Sequence, residues 1–200
     1  MRLSEVCDIQ TGYTARGRLE AADADGVPVI TLRDFGGDGV VRAYALQRVK
    51  LQSPDQRYYV GAGDVVFRSR GEKNTAFALG SDFQESSVAV LPLMIIRSKT
   101  GNIIPEYLAW LINSPRSQSY FDAEAQGTNM RMISKSALDD LDILIPEVSV
   151  QQKIVEVAGL ASRERELLSN LADKRARLVS ASLMNIVENF GATTQKGLSQ

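Results

Sequence analysis

The sequence predicts an α+β fold: a mixed, mostly β domain over residues 1–147, followed by a long coiled-coil-like helix over 148–190. Three observations predict it. Short β-branched runs broken by turn residues fill the first three quarters of the chain. The hydrophobic period then switches near Ser149 from strand-like to helical. The hydrophobic fraction, 44% of 200 residues, is that of a chain able to pack a core.

The strand-like runs are Val27–Leu32, Asp64–Phe67, Ala76–Leu79, Ser87–Leu91 and Leu93–Ile96, separated by turns such as Gly36-Gly37-Asp38-Gly39. Pro105 opens a helical stretch to Ile112 with Leu108, Leu111 and Ile112 on one face, and the same spacing assigns Tyr107 and Trp110 to the core. Leu141 to Pro146 reads as a last strand stopped by proline.

Ser149 and Gln152 then form a capping box that starts a helix. Val157, Leu160, Glu164, Leu167, Leu171, Lys174, Leu178 and Ala181 follow at alternating spacings of three and four, and Gly191 is the expected stop. Residues 191–200 are expected to be a disordered tail. A helix of about 40 residues is roughly 60 Å long. Its apolar stripe therefore needs a partner outside its own domain. Leu160, Leu167, Leu171 and Leu178 are the expected contact face, and Glu164 and Lys174 suggest an antiparallel match of acid to base between two copies. Arg163, Arg165, Arg175 and Arg177 read as solvated flanks or ion-pair partners of Glu164, Glu166 and Asp173.

Composition removes many function classes. Histidine is absent, which excludes His-based acid–base chemistry, Ser–His and Cys–His nucleophile pairs and most zinc sites. The single cysteine, Cys7, cannot form an internal disulfide, as in a reducing compartment. No apolar run reaches the roughly 18 residues that span a bilayer, and acids occupy the N-terminal stretch where a signal peptide is apolar. The expectation is a cytoplasmic protein without membrane contact. Net charge is −1, so any nucleic-acid face is local. Residues 65–100 hold five basic and three acidic residues, whereas 101–150 hold three basic and seven acidic.

Arg68-Ser69-Arg70-Gly71-Glu72-Lys73-Asn74 puts three cations, a glycine and an asparagine in one loop after a strand. Arginine suits guanine and asparagine adenine in the major groove, while lysine suits phosphate. Gln126 to Arg131 repeats that composition with Asn129 and Arg131. Gly12-Tyr13, by itself, reads as turn chemistry. Each segment has a second reading, as an ordinary solvated loop or turn. No G-x-G-x-x-G loop follows a strand, no D/N-P-P-aromatic motif is present, and Pro54-Asp55 lacks the acid-x-Lys of a nuclease site. The chain is expected to be non-catalytic, with no cofactor and no metal.

Four segments, in order, resemble the type I restriction–modification specificity-subunit family. They are Leu3–Thr14, with its spaced Val6, Ile9 and Gly12; Val60–Gly71, with Gly63-Asp64-Val65-Val66-Phe67; Gly127–Ile133, with Leu141–Pro146 behind it; and Ile145-Pro146 followed by Gln151-Gln152-Lys153-Ile154. The resemblance implies a DNA target-recognition domain joined to a spacer and docking helix. Family members carry two of each; this chain is similar to a half-subunit. It implies double-stranded DNA, a DNA methyltransferase subunit and a restriction subunit as partners, a paired arrangement of two copies, and S-adenosylmethionine bound by the methyltransferase rather than here. Tyr13, Arg68, Arg70, Lys73, Asn74, Asn129 and Arg131 are the residues expected at the DNA. The rival reading is a protein-interaction module, a ligand-binding β domain with a helical docking arm.

Overall fold

A computed structural model of the chain describes residues 1–15, 17–23, 25–35, 43–71, 73–125 and 131–197, with side chains to residue 187. The chain divides into two compact units, Met1–Glu156 and Val157–Gln200. Among the described residues no helix is long and apolar enough to cross a membrane.

The first unit is built on two four-stranded sheets. In the first sheet, β1 (Cys7–Thr11), β8 (Leu93–Ser98), β5 (Val65–Arg68) and β6 (Ala76–Ala78) lie side by side, every pair antiparallel. In the second, the order is β3 (Gln47–Val49), β2 (Val27–Ile30), β7 (Ser87–Ala89) and β4 (Tyr59–Val60), with β2 and β7 parallel. Successive side chains of a strand point to opposite faces, so the apolar runs of β5 and β8 must be buried on both. They are. Val65, Phe67, Met94 and Ile96 join a core with the helices, while Val66, Leu93 and Ile95 join a second core with Ile30, Val60 and Ala89 of the other sheet. Val29, Val49, Val88 and Val90 form a third cluster, with Tyr13 and Tyr58 packed against it.

Among the described residues there are five α-helices, α1 (Leu3–Val6), α2 (Pro105–Ile112), α3 (Pro115–Glu124), α4 (Lys135–Asp139) and α5 (Val148–Gly197), besides three short 3-10 turns. Proline opens α2, as read from the sequence, and Tyr107, Leu108 and Ile112 are buried. Trp110 departs from the expectation of a core residue: it is 40% exposed, its ring 5.8 Å from that of Tyr107. Ser114 caps α3 by accepting from Ser117 N–H, and Ser134 caps α4 by accepting from Ala137 N–H.

The segment from Leu141 to Pro146 is not a strand. Asp142 makes a single antiparallel bridge to Arg2, with Leu3 N–H donating to Leu141 O and Ile143 N–H to Met1 O. The ladder cannot lengthen, because its partner turns into α1 at Leu3. The long helix begins at Val148, so Ser149 lies inside its first turn and the expected capping box is not its start. Gln151 instead ties the helix to the domain. Its side chain is fully buried, accepts from Ile104 N–H at 2.9 Å, and donates to Asn102 O and Pro146 O at 2.8 Å each. Gln151 falls within the first compact unit, which reaches Glu156. Helix α5 also runs past Gly191 to Gly197. A lone glycine costs a helix about 1 kcal/mol, too little by itself to stop a long one.

Candidate nucleic-acid interface

Arg68 closes β5, and the residues after it form the hairpin loop that returns through Asn74 to β6. The loop is pinned from three sides. Ser69 donates its N–H (3.2 Å) and its hydroxyl (2.5 Å) to Pro92 O, in the turn that leads into β8. Ile133 N–H donates to Ser69 O and Gly71 N–H to Arg131 O, which makes an antiparallel bridge between Arg70 and Met132. From beneath, Gln118 of α3 donates to Asn74 O at 2.9 Å, and Asn113 both accepts from Ala76 N–H and donates to Ala76 O.

The two cationic segments separated by some sixty residues of sequence thus lie against each other. Arg68 is half-buried, its Nε donating to Arg70 O at 3.2 Å, and its guanidinium lies over Gly71. A Cβ at residue 71 would come within 2.6 Å of Arg68 Nη2, and its φ of +135° is one that glycine alone adopts readily. Arg70 and Lys73 are exposed, and Arg131 is half-buried in an ion pair with Asp122. Asn74 lies elsewhere than expected. It is fully buried inside the loop, its Nδ2 donating to Arg68 O at 3.2 Å and its Oδ1 without a partner among the described residues. A side chain so enclosed shapes the loop rather than reaching outward. Asn129 falls outside the described residues.

Tyr13 stands across the same turn. Its N–H donates to Ala89 O at 2.8 Å and its carbonyl accepts from Leu91 N–H at 3.0 Å. Gly12 permits this approach: a Cβ there would sit 2.7 Å from Ala89 O. Tyr13 and Ser69 therefore flank the Val90–Pro92 segment on its two sides, β1 on one and β5 on the other. The ring of Tyr13 meets Tyr58 edge-on, centroids 5.5 Å apart, and the Arg57 guanidinium lies 4.8 Å from the Tyr58 centroid. Arg57 and Tyr58 were not singled out from the sequence, although an Arg-Tyr-Tyr run was there to be noticed.

The chemistry on offer at this end is donor-rich: guanidinium and ammonium groups, a phenol and backbone amides. Among the described residues no group of three or more Cys, Asp or Glu could hold a metal ion. The pKa values that move belong to the frame. Burial pushes the Cys7 thiol up to about 11, and Arg48 holds the Glu85 carboxyl below the usual range through a paired hydrogen bond of 2.7–2.8 Å.

On α5, Leu160, Leu167, Leu171 and Leu178 are all exposed, 52–68% by residue. A shallow groove along the same helix is lined by Leu168, Leu171, Ala172, Arg175, Val179 and Leu183. Arg163 pairs with Glu166 at 2.7 Å on the flank.

A family model described as the type I restriction modification DNA specificity domain matches residues 1–158. The chain belongs to that family. Solved structures agree in fold. The HsdS subunit from Thermoanaerobacter tengcongensis superposes with a TM-score of 0.61 at 18% identity, over 84% of this chain and 38% of that one. A chain from a structure on complex assembly and conformational transition of the type I R-M system gives 0.61 at 19%, with the same coverage. The type I S subunit from M. genitalium gives 0.55 at 12%, over 86% and 40%. This specificity-domain chain thus spans about two fifths of the length of those relatives. No curated protein sequence matches it.

Proposed function

We propose that this chain reads a short sequence of double-stranded DNA at the end of its first sheet and directs a partner DNA methyltransferase to that site, without catalysis of its own. One observation carries the reading: in a member of the DNA specificity family, the Arg70–Met132 bridge gathers both cation-bearing loops into one edge. Arg68, Arg70, Arg131 and Asn129 are assigned to bases, Lys73 to phosphate, and Asn74 to the shape of the loop. S-adenosylmethionine belongs to the methyltransferase, and a restriction subunit joins the same assembly. The protein works inside the cell, where that DNA is.

Helix α5 supports pairing with a second copy. A two-fold axis at Ser169 would set Leu167 against Leu171, Leu160 against Leu178 and Glu164 against Lys174, burying a stripe that is exposed in the single chain. Two domains at opposite ends would then read a palindromic target in two halves.

The test has two arms. The methyltransferase subunit should co-purify with the chain, and the complex should methylate one sequence. In that complex Arg70→Ala should weaken cognate binding by about 1–3 kcal/mol, while Lys73→Ala weakens cognate and unrelated duplex alike. Loop variants that bind like the parent would move the DNA face elsewhere.

A further inference from the structure

We propose that Arg57, stacked on Tyr58 and braced by Tyr13, is a preformed contact for a DNA backbone phosphate at the border of the groove that the basic loop enters. The inference rests on the DNA-reading function and adds to it a second contact that sets register along the sugar–phosphate strand rather than reading base identity.

The arginine is held unusually well for an exposed side chain. Its guanidinium carbon lies 4.8 Å from the Tyr58 ring centroid, and Nη2 donates to the Tyr58 hydroxyl at 2.8 Å. The ring beneath is fixed in turn by the edge-on contact with Tyr13, at 5.5 Å and 79°. The backbone of the turn is tied down too. Asp55 caps it by accepting from Arg57 N–H at 3.0 Å, and Tyr58 N–H donates to Asp55 O at 3.0 Å. The Arg57 carbonyl accepts from Gln10 Nε2 and, at 3.1 Å, from Arg97 Nη1, while Arg97 is itself paired with Asp64 at 3.0 Å. A side chain already ordered loses less entropy when it binds.

The chemistry left over fits a phosphodiester. Nη1 has no partner among the described residues, and the Tyr58 hydroxyl, which accepts from Arg57, can still donate its own proton. A planar guanidinium edge beside a phenol O–H offers donors to two phosphate oxygens. The nearest acid is Asp55, whose Oδ2 lies 4.0 Å from Arg57 Nε, too far for a tight pair.

The placement fits as well. Tyr13, bridged to Val90, and Ser69, bonded to Pro92, abut the same short turn, within roughly 10 Å, or about two strand spacings, of each other. The major groove is about 12 Å wide. A loop lowered into the groove at Arg70 thus places the Tyr13–Tyr58 side near the strand that borders it.

The full-length chain is titrated with a labelled random-sequence 24-bp duplex by fluorescence anisotropy across a potassium chloride series. Arg57→Gln should flatten the slope of log K against log salt by about 0.9, the share of one phosphate contact, and should weaken cognate and unrelated duplex by the same factor. Arg57→Lys should keep the slope. Asp55→Asn, which keeps the capping oxygen and removes a negative charge beside the phosphate, should tighten binding. Thermal melting of each variant checks the fold, and if Arg57→Gln fails to fold, Asp55→Asn decides by its opposite sign. A parental slope in Arg57→Gln, or unchanged affinity in Asp55→Asn, would overturn the phosphate site while leaving the DNA-reading function intact if Lys73→Ala still flattens the slope. A parent that binds no duplex in a salt-dependent way would overturn the underlying function itself.

Discussion

Replacing Leu167 by alanine tests the pairing of α5 at its centre, where Leu167 of one copy would face Leu171 of the other. Leu167 and Leu171 are 52% and 63% exposed in the single chain. Fully burying a leucine side chain is worth about 1.5–3 kcal/mol. With just over half that surface still to bury, each Leu167 stands to gain about 1–2 kcal/mol. A symmetric pair contains two such residues, so the variant should lose about 2–4 kcal/mol of association, a rise in dissociation constant between roughly thirtyfold and a thousandfold. Alanine is the best helix former, so the helix itself is not weakened. Sedimentation equilibrium at several concentrations reads the constant directly. Arg177→Ala, three helical turns further on and away from the stripe, is the control and should leave it unchanged. Reversing one charge, Glu164→Lys, should also weaken pairing by opposing Lys174, and adding Lys174→Glu should restore it. A parent that stays monomeric at every concentration, with one copy in the assembled methyltransferase complex, would refute the reasoning.

Three further outcomes concern the frame. Gly12→Ala should lower stability by about 1–3 kcal/mol in a denaturant titration, because its Cβ would meet the Ala89 carbonyl at 2.7 Å and that atom belongs to a paired backbone. Gln151→Ala should cost about 1–3 kcal/mol by the same measurement, since it removes a fully buried side chain and leaves the partly buried Ile104 N–H and two carbonyl groups without its three bonds. Cys7, with its thiol pushed up to about 11 by burial, is protonated at pH 8 and should resist a thiol reagent there until the protein unfolds. The sign follows from the raised value: the neutral thiol is the form the fold favours, so stability linked to Cys7 is present below its ordinary range and is lost only as pH climbs towards 11.

Strands β5 and β8 were readable in sequence because burial on two faces demands unbroken apolar runs, and Val65-Val66-Phe67 and Leu93–Ile96 are such runs, whereas β1, with Asp8, Gln10 and Thr11 among its residues, was not read as a strand. Helices α3 and α4 were not foreseen, yet Ser114-Pro115 and Ser134 carry ordinary start signals; the segments behind them are too short and polar to show a period. Leu141 to Pro146 looks like a strand because alternation reports an extended backbone with one buried face, not the presence of a neighbour long enough to pair with. For the candidate site, residue types pointed to both loops, but their meeting at Arg70 and Met132 is a tertiary event with no local signature. Nor does composition tell which way a side chain turns. Asn74 and Lys73 are adjacent, one inside the loop and one outside.

The arrangement around β5 has an evolutionary consequence. Arg70 and Lys73 are exposed on a loop whose ends are held by the side chains of Ser69, Asn74 and Asn113 through bonds to backbone groups. Substitutions at 70 and 73 touch none of the three apolar clusters. On the proposed reading, a lineage can change residues 70 and 73, and with them the target, while the three apolar clusters stay as they are, in the way a typeface changes while the press that holds it does not.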